Sequence, residues 1–256
     1  MIMKKTKIIL SLIWILLYPH LFNSMYLIAE HLDQDDVILV DTINSNRICF
    51  HRNIQNVDSL QSIIIEKLKL SVHEIGKIID VTDVEFRVLI FPERTLPSKG
   101  ISGVAPNTEH IYLLLDLDHP RLFKSIEEEL VATMAHEYHH TLRKRAIGNV
   151  KTLFDAIISE GLADHFAIEV TGEQPPWATP VDEEIFAKWQ KKAEEEWFNE
   201  DFDYFAWFIG LNSDIPRGTG YEIGRRIVAE YLEKYPNKKP STLFMSPSSD
   251  FLSDNN

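Results

Sequence analysis

The sequence contains very little cysteine and fewer basic than acidic residues. Cys49 is the only cysteine among 256 residues, so the chain can form neither an internal disulfide nor a zinc site built on several thiolates. The 26 lysines and arginines are outnumbered by 39 aspartates and glutamates, which makes the formal net charge −13. Proteins that bind nucleic acid need clustered lysine and arginine to meet the phosphates, so we predict no nucleic-acid partner.

The sequence also lacks a hydrophobic run long enough to cross a bilayer alone. The apolar run from Ile8 to Tyr18 has eleven residues, interrupted only by Ser11, and follows a lysine-rich start at residues 4–7. This length suits the core of a signal peptide and is too short for a complete membrane span. We interpret residues 1–30 as a cleaved signal peptide or an imperfect anchor, with possible membrane association through residues 8–29.

The location of the protein depends on this N-terminal segment. With the lysines on the cytoplasmic side, the chain after Ala29 lies outside, so we predict an exported or membrane-anchored main domain. If residues 1–30 instead form a buried helix, or precede the true start at Met25, the protein would be cytoplasmic. The sequence leaves these alternatives open.

The rest of the composition is that of a globular protein with a core. Hydrophobic residues make up 45% and charged residues 25% of the chain. The length allows one large domain, or one domain with a small helical lobe. We predict a main domain over residues 31–240 and a disordered tail, rich in serine and aspartate, over residues 241–256.

Hydrophobic periodicity predicts the order of the secondary-structure elements. Segments near residues 37–50, 84–91 and 110–117 have the pattern of strands, the first of them a hairpin. Residues 124–170 are helical by pattern, and residues 181–235 form a mainly helical lobe. The predicted fold class is therefore α+β, with a small sheet packed on a central helix and a helical C-terminal lobe.

The run HEYHH at positions 136–140 carries the clearest chemical signal. His136 and His140 are four residues apart, so on a helix they lie on one face and can converge on one tetrahedral metal ion. Glu137 is then rotated beside the open coordination position. There its carboxylate can take a proton from a metal-bound water, which is the task of a catalytic base.

The run SEGLAD at positions 159–164 lies on the next predicted helix. Glu160 follows His140 by twenty positions, and a short turn between the helices can return its carboxylate to the metal as a third ligand. Asp164 is one turn further on and is suited to hold the second ring nitrogen of His136. The alternative is an exposed acidic helix face without a metal.

These two motifs resemble those of the gluzincins, the thermolysin-like peptidases that combine HExxH with a downstream ExxxD. Residues 101–231 resemble more closely a bacterial domain-of-unknown-function family of predicted Zn-dependent proteases. The similar pieces are SGV at 102–104, MAHEYHH at 134–140, SEGLADHF at 159–166 and GTGYEIG at 218–224. The resemblance implies a zincin-like fold in which His136, His140 and Glu160 bind one Zn²⁺ per chain and Glu137 is the base.

Other candidate residues fit the metal site less well. His139 is the nearest rival ligand but is interpreted as a helix-surface histidine. His165 either lines the site or is a partly exposed histidine, and we favour the second interpretation. The metzincin pattern needs Gly and His three and six positions after the second histidine, and it fails at Arg143 and Ala146. Tyr221 follows a Gly-rich turn and is our candidate donor to the oxyanion, a position where gluzincins use Tyr or His. The alternative for Tyr221 is a packed core tyrosine.

The function predicted from these residues is zinc-dependent hydrolysis of peptide bonds in peptide or protein substrates. The substrate backbone would add to a sheet edge, for which the strand near residues 110–117 is the candidate. Three alternatives stay open: an idle regulatory or chaperone-like binding protein that keeps a structural zinc, a hydrolase of small amides, and a helical protein without zinc. Glu137 argues against a structural site, which needs no base.

Overall fold

A computed structural model of the protein describes residues 37–54, 58–178, 182–210 and 213–252. The predictions for residues 1–30 therefore lie outside the described part of the chain. Within these ranges no helix combines the length and the apolar character needed to span a membrane. The strands are β1 (Val37–Ile43), β2 (Asn46–His51), β3 (Glu85–Ile90), β4 (Ile101–Val104) and β5 (His110–Leu115). The α-helices are α1 (Asp58–Gly76), α2 (Leu122–Ile147), α3 (Leu153–Thr171), α4 (Glu183–Glu196), α5 (Thr219–Lys234) and α6 (Pro240–Leu243).

The strands form one mixed sheet in the order β1-β2-β3-β5-β4. β1 and β2 make the predicted hairpin, in which Asn44 takes a positive φ of 53° at the turn. β2, β3 and β5 run parallel, whereas β4 is antiparallel to β5. Cys49 is buried in β2, and burial raises the pKa of its thiol to about 11, so it is a structural thiol. The predicted α+β fold class is confirmed.

The prediction that the strand near residues 110–117 offers a free sheet edge is wrong. β5 pairs with β3 on one side and with β4 on the other, so it lies inside the sheet. The edge of the sheet next to β5 is formed by β4, a strand of four residues that the sequence pattern did not reveal. Its shortness and Gly103 at its third position hide it from a search for alternating apolar residues.

The main core lies between the sheet and helices α1 and α2. Ile48, Phe86 and Ile111 from the strands pack with Leu68 of α1 and Met134 of α2, and all five side chains are buried. Burying so much apolar surface is the dominant stabilising contribution to a fold of this size. Because α2 lies in the centre of the protein, residues on nearly every side of it are buried along much of its length.

Helices α3 and α5 cross at a very short distance because each has a glycine at the contact. A Cβ atom on Gly161 would lie 2.3 Å from the carbonyl carbon and oxygen of Gly224. A Cβ atom on Gly224 would lie 2.2 Å from the carbonyl oxygen of Ile157. The crossing brings the first turns of α5, with Tyr221 and Arg225, against α3. The SEGLAD and GTGYEIG motifs therefore meet in space.

The tail predicted as disordered, residues 241–256, is packed as far as the described residues extend. Arg143 of α2 donates a hydrogen bond to the hydroxyl of Ser248 at 3.0 Å. The backbone N–H and the hydroxyl of Ser241 donate to Glu169 of α3 at 2.8 and 2.9 Å. The serine-rich composition was misleading because these hydroxyls pair with side chains of the central helices.

Replacing Gly224 with alanine should destabilise the protein. The added Cβ would have to displace helix backbone, and overpacking of this kind costs about 1–3 kcal/mol. The measurement is the midpoint of thermal unfolding by circular dichroism. Gly76→Ala is the matched control, because a Cβ atom there meets nothing within 4 Å. Equal midpoints for the two variants would contradict the close crossing of α3 and α5.

Candidate metal centre

Helices α2 and α3 bring three ligand-type side chains to one buried point. Nε2 of His136 lies 3.0 Å from Oε2 of Glu160 and 3.0 Å from Nε2 of His140. The third side of this triangle, from Nε2 of His140 to Oε2 of Glu160, is 3.3 Å. Zinc bonds of about 2.0–2.1 Å in a tetrahedral site separate neighbouring ligand atoms by roughly 3.3 Å. The donor set and its spacing therefore fit a zinc ion.

The pairing of α2 with α3 depends on the short turn between them. Gly148 ends α2 with a φ of 85°, a value that side chains with a Cβ rarely adopt. Thr152 then caps α3: its hydroxyl accepts from the N–H of Asp155, whose carboxylate accepts from the N–H of Thr152. Because this connection is short, α3 runs back along α2 and places Glu160 beside His140.

Asp164 is fully buried and accepts three hydrogen bonds. The donors are Nδ1 of His136 at 2.9 Å, Nε1 of Trp177 at 2.8 Å and Nη1 of Arg225 at 3.2 Å. The bond to His136 is the contact predicted from the one-turn spacing, and it turns Nε2 of that ring toward the other ligand atoms. Sequence reasoning missed Trp177 and Arg225, because neither stands at a spacing that indicates a role in the site.

Ser159 orients the second histidine of the cluster. Its hydroxyl oxygen lies 3.1 Å from Nδ1 of His140. Since Ser159 directly precedes Glu160, one turn of α3 both contributes a ligand atom and holds the ring of another ligand. Both histidines therefore have Nδ1 engaged and Nε2 directed into the cluster.

The charged groups of the cluster shift each other's pKa values. Burial alone would lower the pKa of His136, but hydrogen bonds to Asp164 and Glu160 outweigh it and raise that pKa well above its usual value. Burial would raise the pKa of Glu160, but the charges and hydrogen bonds of His140 and His136 hold it well below its usual range. A positive charge at this point, whether proton or metal, is therefore stabilised by the fold.

Tyr204 contacts the second oxygen of the carboxylate ligand, a role that sequence reasoning did not predict. Its hydroxyl donates to Oε1 of Glu160 at 3.0 Å, while Oε2 faces the two histidines. The ring of Tyr204 stacks on Phe208 with 4.4 Å between centroids, in the short π-helix Phe205–Ile209. The stack fixes the phenol, and its hydrogen bond holds the carboxylate of Glu160 with Oε2 toward the two histidines.

Tyr221, the predicted donor to the oxyanion, also lies close to the cluster. Its ring centroid is 6.4 Å from that of His136, and its hydroxyl interacts with that of Tyr204. Burial raises the pKa of Tyr221 well above its usual value, and the charge of Glu160 adds to this effect. Its hydroxyl therefore keeps its proton at neutral pH and can donate it in a hydrogen bond.

Glu137 lies against the edge strand β4. A Cβ atom on Gly103 would lie 2.5 Å from Cγ of Glu137 and 2.9 Å from its Oε1. Only glycine at this position leaves room for the carboxylate beside the strand. Glu137 is 8% exposed, so it is buried beside the edge strand.

The structure corrects the interpretation of His139 as a surface histidine. Its exposed fraction is 0%, because α2 is covered on that side too, and its ring centroid lies 5.5 Å from that of Phe166. Burial lowers the pKa of His139 well below its usual value, so it stays neutral in the core. His165 is partly buried as predicted, with Nε2 2.9 Å from the carbonyl oxygen of Arg225. Neither belongs to the ligand cluster that the described residues form.

The sequence of this chain matches a known family. It belongs to the family described as predicted Zn-dependent protease (DUF2268), whose model matches residues 65–253. Among solved structures, an aminopeptidase N family protein from Idiomarina loihiensis is similar at 11% identity with a TM-score of 0.43. That similarity covers 84% of this chain and 41% of the other, so this chain spans less than half of its length. No curated protein matches the chain significantly.

Tyr204→Phe should weaken zinc binding without unfolding the protein. The variant leaves Oε1 of Glu160 without its donor, and loss of such a contact behind a metal ligand typically costs about 10–100-fold in affinity. A competition titration against a chromogenic chelator measures the affinity. Tyr231→Phe removes a hydroxyl from the same lobe away from the cluster and should match the parent. Parental zinc affinity in Tyr204→Phe would contradict the assigned role.

Proposed function

We propose that the protein is a metallopeptidase with one zinc ion per chain, held by His136, His140 and Glu160. The observation that carries this proposal is the buried group of three ligand atoms within 4.8 Å of one another on two helices. The family of predicted zinc-dependent proteases supports the same class of reaction. Three protein ligands with one carboxylate leave a fourth coordination position open, as catalytic rather than structural zinc sites do.

The proposed chemistry divides between the metal and the chain. Zinc in such a site supplies a Lewis acid that polarises the scissile carbonyl and lowers the pKa of water. Glu137 accepts the proton of the attacking water and returns it to the leaving amine. Asp164 keeps the ring of His136 oriented, and Tyr221, which keeps its proton, donates to the developing oxyanion.

The proposed substrate is an extended segment of a peptide or protein that adds to β4. The hydrogen bonds at the start of β4 show which of its backbone groups face away from β5 and are free to pair with a peptide. The carbonyl of Gly100 accepts from the N–H of Asp116 at 2.9 Å, whereas that of Ile101 accepts from Leu96 on the other side at 3.3 Å. Because an antiparallel ladder alternates, the N–H and C=O of Gly103 also face away from β5. A peptide can pair with them beside Glu137.

Glu137→Gln should keep zinc and the fold while losing nearly all peptide hydrolysis. The amide has the shape of the carboxylate but cannot accept the proton of water. General-base catalysis contributes about 10²–10⁴-fold, so a loss of at least this size is expected. A peptide-library digest followed by mass spectrometry, with zinc measured in the same sample, checks both parts.

The paired variant for this test is the double replacement His136→Ala and His140→Ala. It should lose both zinc and turnover, because a single carboxylate cannot hold the metal alone. Turnover of Glu137→Gln within about tenfold of the parent would remove Glu137 as the base. Zinc binding without hydrolysis of any peptide by the parent would favour the idle binding protein instead.

We also propose that residues 1–30 direct the catalytic domain, from residue 31 onward, out of the cytoplasm. The lysines before Ile8 favour the cytoplasmic side, and the acidic segment after Ala29 favours the other. Fusion of residues 1–36 to a reporter that is active only after export should give activity in membranes or medium. A silent reporter would indicate a cytoplasmic enzyme and leave the zinc proposal untouched.

A further inference from the structure

Lys144 continues the face of α2 that carries the metal-binding residues. It follows Glu137 by seven positions and His140 by four, so all three side chains lie on one side of the helix. Side chains on a helix lean toward its N-terminus, which brings the ammonium of Lys144 back toward the metal centre. The charges of Glu137 and Glu160 act on this ammonium.

The side chain of Lys144 is half-buried, and its ammonium lies at the end of the edge strand. It donates a hydrogen bond to the carbonyl oxygen of Ala105, the residue that directly follows β4, at 2.5 Å. Burial lowers the pKa of Lys144, and the charges of Glu137 and Glu160 oppose this effect only through space. No carboxylate in the described part of the chain is hydrogen-bonded to this cation.

Lys99, at the opposite end of β4, has its charge paired within the fold. Its ammonium forms an ion pair with the carboxylate of Glu129 at 2.7 Å, and both groups are buried. A half-buried cation without such a partner gives up part of its hydration, and a single carbonyl oxygen leaves its charge uncompensated. Of these two lysines, Lys144 is therefore the one whose positive charge can pair with an anionic group of a bound molecule.

The hydrogen-bonding pattern of β4 indicates which part of a bound peptide would lie near Lys144. Gly103 presents both N–H and C=O to the open edge. The same alternation, continued one residue past the end of the ladder at Val104, directs the backbone of Ala105 outward as well. The carbonyl of Ala105 is already occupied by Lys144. A peptide antiparallel to β4 brings the residues that precede its cleaved bond past Gly103 to Ala105. Lys144 thus meets the N-terminal side of the substrate.

We propose that Lys144 selects substrates that carry a carboxylate on the N-terminal side of the cleaved bond, and that it disfavours a cation there. This inference rests on the proposed peptidase function. The alternative is that Lys144 only tethers Ala105 to α2, a task for which an uncharged donor would serve equally well. The preference of the enzyme for a charged residue in the substrate distinguishes selection by Lys144 from a simple tether.

The experiment compares matched internally quenched peptides that carry Glu, Gln or Lys at each of three positions before the cleaved bond. Parent enzyme and Lys144→Arg should cleave the Glu peptide about tenfold better in kcat/KM than the Gln peptide at one of these positions, the size expected of one charge-assisted hydrogen bond. Lys144→Gln, which keeps a donor for Ala105, should lose this ratio. Lys144→Glu should reverse the preference toward the Lys peptide.

Lys151→Gln is the control, because Lys151 is an exposed lysine beyond the C-terminal end of α2 and should leave the ratios unchanged. Zinc content measured for every variant separates loss of metal from loss of selectivity. A parent enzyme that cleaves peptides without preferring Glu overturns the role of Lys144 alone, whatever the variants do. An unchanged ratio in Lys144→Gln also overturns it, in favour of the tether. A parent that cleaves no peptide overturns the peptidase function itself.

Discussion

The burial of two carboxylates, Glu160 and Asp164, on one face of α3 is the constraint on which the rest of the site depends. A buried carboxylate is very unfavourable unless hydrogen bonds and positive charge compensate it. Asp164 receives donors from a histidine, a tryptophan and an arginine. Glu160 has Tyr204 on one oxygen and the two imidazoles on the other. The remaining need for positive charge between His136, His140 and Glu160 is what a divalent cation satisfies.

This compensation requires that distant parts of the chain come very close to α3. Gly161 and Gly224 remove the side chains that would keep α5 away, so Arg225 reaches Asp164 and Tyr221 reaches the histidine cluster. The π-helix at residues 205–209 delivers Tyr204 from the same lobe. The helical lobe therefore completes the surroundings of the ligand cluster, and the two glycines contribute by allowing the close approach of α5.

The sequence predicts the parts of this arrangement that depend on local spacing. A four-residue step sets His136 and His140 on one helix face, and a short turn returns Glu160, so these contacts follow from periodicity. Tyr204 and Arg225 lie 44 and 61 positions from their acidic partners, and no spacing rule connects them. His139 was misplaced because α2 is covered on nearly every side, which removes the polar face that a surface residue needs. The edge strand β4 is too short for alternation to mark it.

Completion of the site by the lobe links metal binding to folding of the whole domain. The ligand atoms of α2 and α3 can be near each other in a helical hairpin, but the carboxylate of Glu160 is held in one orientation only when Tyr204 is in place. A metal that binds the completed site and not the unfolded chain stabilises the folded state in proportion to the logarithm of its concentration. The same contact orients Glu160 in the cluster and couples that orientation to packing of the lobe. Mutations at the α3–α5 crossing should therefore act on metal affinity as well as on stability, although Gly224 lies outside the ligand cluster.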